Sequence, residues 1–191
     1  MTKRRRELVA IAANLFADRG FANVTVDEIG DAAGVSGPAL YHHFAGKEAL
    51  LGEMLIGISS FLLEGGRNVI TTRGDDALGR LIAFHATFAV DDRALIAVQF
   101  RDLVHATEAD RHTVRTLQAK YVMVWVNELI RLQPDLDRRT ARSAVQAAFG
   151  LINSTPHSGS LPREEMIELL SRMALAALRA CQPVGVPDST T

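Results

Sequence analysis

Between Thr25 and Leu51 the chain reads TVDEIGDAAGVSGPALYHHFAGKEALL, and most of the side chains suited to specific chemistry stand there. Thr25 and Ser36 supply hydroxyls, Tyr41 a phenol, His42 and His43 imidazoles, and Lys47 an ammonium. Together these groups suit the recognition of DNA. Gly37 and Ala39, on either side of Pro38, are small enough to let a backbone approach base edges. Ala39 can touch a thymine methyl and His42 can hydrogen-bond a base. Thr25, Ser36, Tyr41, His43 and Lys47 can reach phosphate oxygens, with Lys47 at a helix N-terminus that already favours an anion. Taken singly, two histidines and a tyrosine are ordinary exposed helix residues. The frame around them changes that reading.

That frame is two short helices joined by a tight turn, with a third helix opening at Lys47. Thr25 and Glu28 form a capping-box pattern, in which the hydroxyl accepts from a free backbone N–H and the carboxylate reaches back to the N–H of the cap. Ile29, Ala32 and Ala33 give the first helix its apolar face. Gly34 follows where a left-handed residue is needed to leave a helix. Val35 packs the corner, and Ser36 can cap a second helix whose inward residues are Leu40 and Phe44. This is the pattern of a helix-turn-helix.

AAGVSGPALYHHFAGKEALL resembles the DNA-binding domain of the TetR (tetracycline repressor) family of bacterial regulators. The family pattern falls on Thr25, Ile29, Gly34, Val35, Tyr41, Phe44, Lys47 and Leu50, while Gly30 stands where the family usually has Ala. The resemblance covers roughly the first quarter of the chain. It implies an all-α protein with an N-terminal three-helix helix-turn-helix domain and a helical body for ligand binding and dimerisation. It also implies a sequence-specific transcriptional regulator, in most cases a repressor released by a small molecule.

The whole chain fits that expectation. At 191 residues it is long enough for one or two domains with a real core, and 48% hydrophobic with 23% charged residues is a globular composition. The net charge of −1 argues against a general nucleic-acid coat, but Lys3, Arg4, Arg5 and Arg6 make a local basic patch. Arg4 and Arg5 are therefore further candidates for DNA contact, as part of an arm along phosphates or into the minor groove, the alternative being a solvated tail. One cysteine, Cys181, excludes an intrachain disulfide and a cysteine-based zinc site, and fits a reducing cytoplasm. No apolar run reads as approaching membrane-spanning length, and no signal peptide is evident.

Helical periodicity continues along the chain. Leu8, Ile11, Ala12, Leu15 and Phe16 mark a first amphipathic helix closed by Gly20. The helix from Lys47 runs through Phe61 and Leu62 until Gly65-Gly66 weakens it. Asp75-Asp76 and Asp91-Asp92 each fall at a helix start, where the macrodipole favours negative charge. Glu108 to Gln133 lacks Gly and Pro and reads as a buried central helix, stopped by Pro134. Two last helices follow, about Asp135 to Ile152 and Arg163 to Ala180. The expected organisation is residues 1–50 as the head, 51–181 as the effector and dimerisation body, and 182–191 as a disordered tail.

No enzyme constellation accompanies these helices. His85, His105, His112 and His157 are scattered without the spacing of a zinc helix, and there is neither a phosphate loop nor a G-x-S-x-G motif. No metal and no cofactor are expected. Phe61, Phe84, His85, Phe88, Phe100, Tyr121, Met123, Val124 and Trp125 are the candidates for lining an effector cavity. Aromatic residues at helical spacing also serve as plain core. The resemblance favours a cavity holding a hydrophobic effector, with Gln99, Arg101, Asp102 and Asn127 as polar anchors. The expected partners are a palindromic double-stranded DNA operator and a second copy of the chain. The copies would pair through the last two helices, with Ala141, Ala144 and Ala148 at the contact. The alternative is a module whose body only dimerises and binds no effector.

Overall fold

The computed structural model describes residues 3–35, 40–71, 76–158 and 160–182. Its helices are α1 (Lys3–Arg19), α2 (Val26–Ala32), α3 (Lys47–Thr71), α4 (Ala77–Asp91), α5 (Arg93–Asp102), α6 (Glu108–Leu132), α7 (Arg138–Ile152) and α8 (Arg163–Arg179). Short 3-10 turns occupy Phe21–Asn23, Leu103–His105 and Thr155–His157. Leu40 and Tyr41 are helical between α2 and α3. Ser36, Gly37, Pro38 and Ala39 lie outside the described residues, as do Asp75 and the expected disordered tail from residue 183.

The ends of several helices follow the local chemistry of their caps. Asp137 starts α7 by accepting from the backbone N–H groups of Arg139 and Thr140, both at 3.0 Å. Asp76 accepts from Gly79 N at 3.1 Å ahead of α4. Asp91 departs from its expected role of opening a helix. It ends α4 and accepts a bidentate pair from Arg163 at the start of α8, at 2.5 and 2.6 Å.

Gly65-Gly66 does not end α3. The helix continues to Thr71 because the two glycines serve packing: a Cβ on Gly65 would run into the Phe84 ring, and one on Gly66 into the Tyr121 ring. Without the glycines these two aromatic rings could not lie against the backbone. α3 also corrects the membrane expectation. At 25 residues with mean hydropathy 1.3 in its most apolar window, it is long and apolar enough to span a bilayer on length and composition. Lys47, Glu48, Glu53, Glu64 and Arg67 interrupt the run to the eye. Its apolar side chains Leu50, Leu51, Met54, Leu55, Leu62 and Leu63 are buried within the protein, as in a core helix.

Contacts divide the chain into two units, Met1–Phe61 with Asp92–Gln118, and Leu62–Asp91 with Ala119–Thr191. The division falls inside α3 and α6. In the first unit α5 packs along α1, so a segment remote in sequence joins the head. Its core is Leu8, Ala12, Phe16, Phe21, Val24, Ile29, Leu40 and Phe44 together with Ile96 and Val98.

In the second unit α8 packs on α4 and α7. Met166, Leu170, Ala174 and Leu178 form its buried stripe, and α7 buries Ala141, Val145, Ala148 and Ile152. Ala141 and Ala148 are thus core residues of their own chain and cannot be the residues that meet a second copy. The period of 3.6 places the outward face of α7 at Ser143, Ala147 and Gly150, and that of α8 at Met173, Ala176 and Ala177, all exposed.

Candidate nucleic-acid interface and effector site

The turn between the first two helices of the motif is built as the residue types require. Thr25 Oγ1 accepts from Glu28 N at 3.2 Å, and Glu28 Oε2 accepts from Thr25 N at 2.8 Å, completing a capping box. Those bonds, chiefly the one from the Thr25 backbone, hold the Glu28 carboxyl below its usual pKa. At the other end of α2, Gly34 takes φ 65°. Gly34 N donates to Asp31 O at 3.1 Å and Val35 N to Gly30 O at 2.9 Å, the paired bonds of a Schellman turn. Beyond the turn Leu40 and Phe44 are buried, which leaves Tyr41, 57% exposed, and His42 on the outer side. His43 is half-buried.

Three of the expected DNA contacts are turned to other work. Lys47 Nζ points inward, donating to Phe21 O at 3.0 Å and Val24 O at 2.9 Å and lying 4.5 Å from the centroid of the Phe21 ring. Its ammonium ties the start of α3 to the corner between α1 and α2, with at most one N–H left for a phosphate. Arg5 forks onto Glu53 of α3, donates to His43 O at 2.6 Å and lies 4.4 Å from the centroid of the Phe44 ring. Arg4 donates to Ala33 O at 2.8 Å, where α2 ends, and pairs with Glu7. These arginines belong to α1 and not to a loose arm. A cation near helix-end carbonyls is favoured by the helix dipole, and that local gain holds them. Arg6 is exposed. Glu53 was not anticipated as a partner, since nothing in the local pattern separates it from an ordinary surface glutamate.

The effector candidates divide as well. His85, Tyr121 and Trp125 come together in the second unit with Phe149. Phe149 and His85 stack at 4.8 Å with an interplanar angle of 6°, and Trp125 meets His85 and Phe149 edge-on at 5.8 and 4.9 Å. His85 Nε2 lies 2.9 Å from Asn153 Oδ1, and Nδ1 lies 3.2 Å from the Tyr121 hydroxyl. This pairing assigns the proton to Nε2 and makes Nδ1 the acceptor. Burial drives the imidazole pKa down to about 4 despite the Asn153 bond, so the ring is neutral at pH 7. Burial also raises the Tyr121 phenol. The indole N–H of Trp125 is buried near the Tyr121 hydroxyl and makes no hydrogen bond of good geometry among the described residues.

Phe88 is also buried in this unit, while Phe84 and Val124 are half-buried. Phe61 and Phe100 fall in the first unit and are 52% and 67% exposed. Of the polar anchors, Asp102 and Arg101 pair with each other and Asn127 is exposed. Phe149 and Asn153 were missed as site residues. Phe149 reads as one more inward residue of its helix, and Asn153 is 68 residues from the histidine it bonds.

Residues 8–54 match the family model for bacterial regulatory proteins of the tetR family, and residues 71–178 match that of the tetracyclin repressor-like C-terminal domain. The chain is 35% identical over 130 residues to the HTH-type transcriptional repressor KstR2 of Rhodococcus jostii, covering 66% of this chain and 63% of that one. It is 32% identical over 148 residues to KstR2 of Mycolicibacterium smegmatis, covering 70% of each. The match to the Rhodococcus protein thus spans less than two thirds of that relative's length. The crystal structure of a TetR-family transcriptional regulator from Bordetella parapertussis superposes with a TM-score of 0.82 at 24% identity, over 92% of this chain and 95% of the other. At that identity it speaks for the fold.

Proposed function

The chain belongs to the TetR family of bacterial regulatory proteins, and from that premise we propose that it is a sequence-specific DNA-binding repressor, dimeric and responsive to a hydrophobic small molecule. The observation that carries the reading is the capped α2 and its Schellman turn. They lead to a segment, helical at Leu40 and Tyr41, in which buried Leu40 and Phe44 leave Tyr41 and His42 facing outward. Ser36, Gly37, Pro38 and Ala39 belong to the same proposed surface by sequence. In this reading His42 and Ala39 read base edges, while Tyr41, Thr25, Ser36, His43 and Arg6 contact the backbone. Arg4, Arg5 and Lys47 serve by fixing the helices that carry those residues.

Two copies pair through the outward faces of α7 and α8, at Ala147, Gly150, Met173 and Ala177. Small residues there allow close approach of helix axes. The two reading helices then fall in successive major grooves, about 34–36 Å apart or a multiple of that spacing. An apolar effector suits the second unit, where Trp125 is fully buried and Phe84, Phe88 and Val124 stand with His85 and Trp125 on α4 and α6. Such a ligand releases DNA only by its differential affinity for two states. Shifting a 1:99 balance to 99:1 takes about 5.5 kcal/mol.

One observation favours a second reading, in which the body only dimerises. Both nitrogens of His85 are satisfied within the chain, and the rings around it are stacked. Selection from random duplex DNA tests the first part: the protein should enrich a palindromic site, and failure to enrich any site sinks the regulator reading. A screen of hydrophobic acyl and aromatic compounds for release of the selected site separates the two readings of the body. A responder whose effect is lost in Trp125→Phe supports the effector site. Absence of any responder supports the dimerisation module.

A further inference from the structure

The family match to the head ends at residue 54, yet the corner that sets α1 against α2 is gripped by residues far beyond it. α1 ends at Arg19, and Gly20, at φ 84°, turns the chain into Phe21. Carbonyls in the last turn of a helix favour a cation, and Phe16 O, which accepts from Gly20 N at 2.8 Å, keeps a second lone pair for one. Arg101 supplies one from the end of α5: its Nη2 donates to Phe16 O and its Nη1 to Ala17 O, the latter at 3.2 Å. The guanidinium is aimed by the next residue. Arg101 Nε and Nη2 each lie 3.0 Å from an oxygen of Asp102, and Asp102 is 2% exposed. Four residues beyond Arg101, the His105 ring stacks on Phe21 at 5.1 Å and 21°. Phe21 is the same residue whose ring and carbonyl engage Lys47.

We infer that Arg101, aimed by Asp102, and His105 are positioning residues for the DNA-reading head. They fix the Phe16–Val24 corner and through it the angle at which α2 and the helix after it are presented. The inference rests on the DNA-binding reading above. Neither side chain need touch DNA. Arg101 is about half exposed and the hydrophobic core of the unit lies at Leu8, Phe16, Phe21 and Ile96, so removing the guanidinium frees the corner without emptying the core, although it lowers stability by leaving the buried Asp102 carboxylate without its cation. A reading helix must be held to about 0.5 Å for its contacts to form together, which makes affinity for the specific site more sensitive than folding.

The test uses the full chain with Arg101→Gln and Arg101→Lys. Binding to the selected duplex and to random duplex is measured by fluorescence anisotropy across a salt series, well below the melting temperature of each variant. Arg101→Gln should bind the selected duplex roughly ten-fold or more weakly, the scale of losing charged hydrogen bonds. Random-duplex affinity and the salt slope should be unchanged, and Arg101→Lys should recover part of the loss. Either of two binding results overturns the inference: a salt slope lowered by about one phosphate contact, which would make Arg101 a DNA contact, or unaltered specific binding with only a lower melting temperature. Hydrogen exchange gives a readout independent of DNA. Amides from Gly20 to Glu28 should exchange at least several-fold faster in Arg101→Gln than in the parent while those of α7 and α8 do not change. If the parent binds no duplex the repressor reading fails, and unchanged exchange at the corner alone defeats the positioning role.

Discussion

Acidifying a solution of this protein from pH 7 to pH 5 should cost its second unit about 2 kcal/mol of stability, and His85 is the reason. The imidazole is fully buried and neutral, with a folded pKa of about 4 against an ordinary 6.5. A histidine depressed in this way contributes its stability in full above the unfolded pKa and loses it as pH falls, because the unfolded chain takes up a proton that the folded chain refuses. The loss begins near pH 6.5 and grows down to about pH 4. At pH 5 the unfolded imidazole is almost entirely protonated and the folded one is not, and linkage over that interval gives the figure of about 2 kcal/mol. Burial is complete, so solvent screening does not reduce it further. The assay is urea unfolding at pH 7, 6 and 5 followed by the fluorescence of Trp125, the one tryptophan of the chain and a neighbour of His85. In His85→Gln the amide can still bond Tyr121 and Asn153 but does not titrate. Its overall stability should be lower at pH 7, and its decline toward pH 5 should be shallower than the parent's by that same amount. Parallel declines in parent and variant would refute the assignment of a depressed pKa to His85.

The glycines of α3 should respond oppositely to alanine. Gly66→Ala places a methyl in the Tyr121 ring and should lose about 1–3 kcal/mol, whereas Gly57→Ala, exposed with nothing near its Cβ, should gain about 0.5–1 kcal/mol from helix propensity, both read as urea midpoints. Lys47→Ala should lower the stability of the first unit by about 1–3 kcal/mol through two lost carbonyl bonds and the Phe21 contact, while leaving the salt slope of DNA binding within one phosphate of the parent. Ala147→Glu or Met173→Glu should give a folded monomer in sedimentation, whereas Ala148→Glu should unfold the chain because Ala148 is core.

The helical class of the described residues, and the helix-turn-helix pattern itself, were determined by the sequence alone, because their causes are local. The Thr25–Glu28 cap, the left-handed Gly34 and the inward Leu40 and Phe44 depend on neighbours within about one turn, and the structure has each where residue type demands. The same locality gave the bounds of α6 to within a residue and the end of α7 at Ile152, whose start falls at Arg138 and not at Asp135. The tertiary structure decided what depends on distance. Arg4, Arg5 and Lys47 have the composition of a phosphate-binding set, and only the fold reveals that Ala33 O, Glu53 and Phe21 O stand within reach of them. Gly65-Gly66 looks like a break from within α3, but becomes a packing notch once Phe84 and Tyr121 arrive from other helices. Ala141 and Ala148 share their spacing with any helix contact, and only the position of α8 turns them inward. His85 finds Asn153 across 68 residues. A periodic pattern states which face of a helix is apolar. It carries no term for what that face will meet, and that choice belongs to the packing of the whole chain.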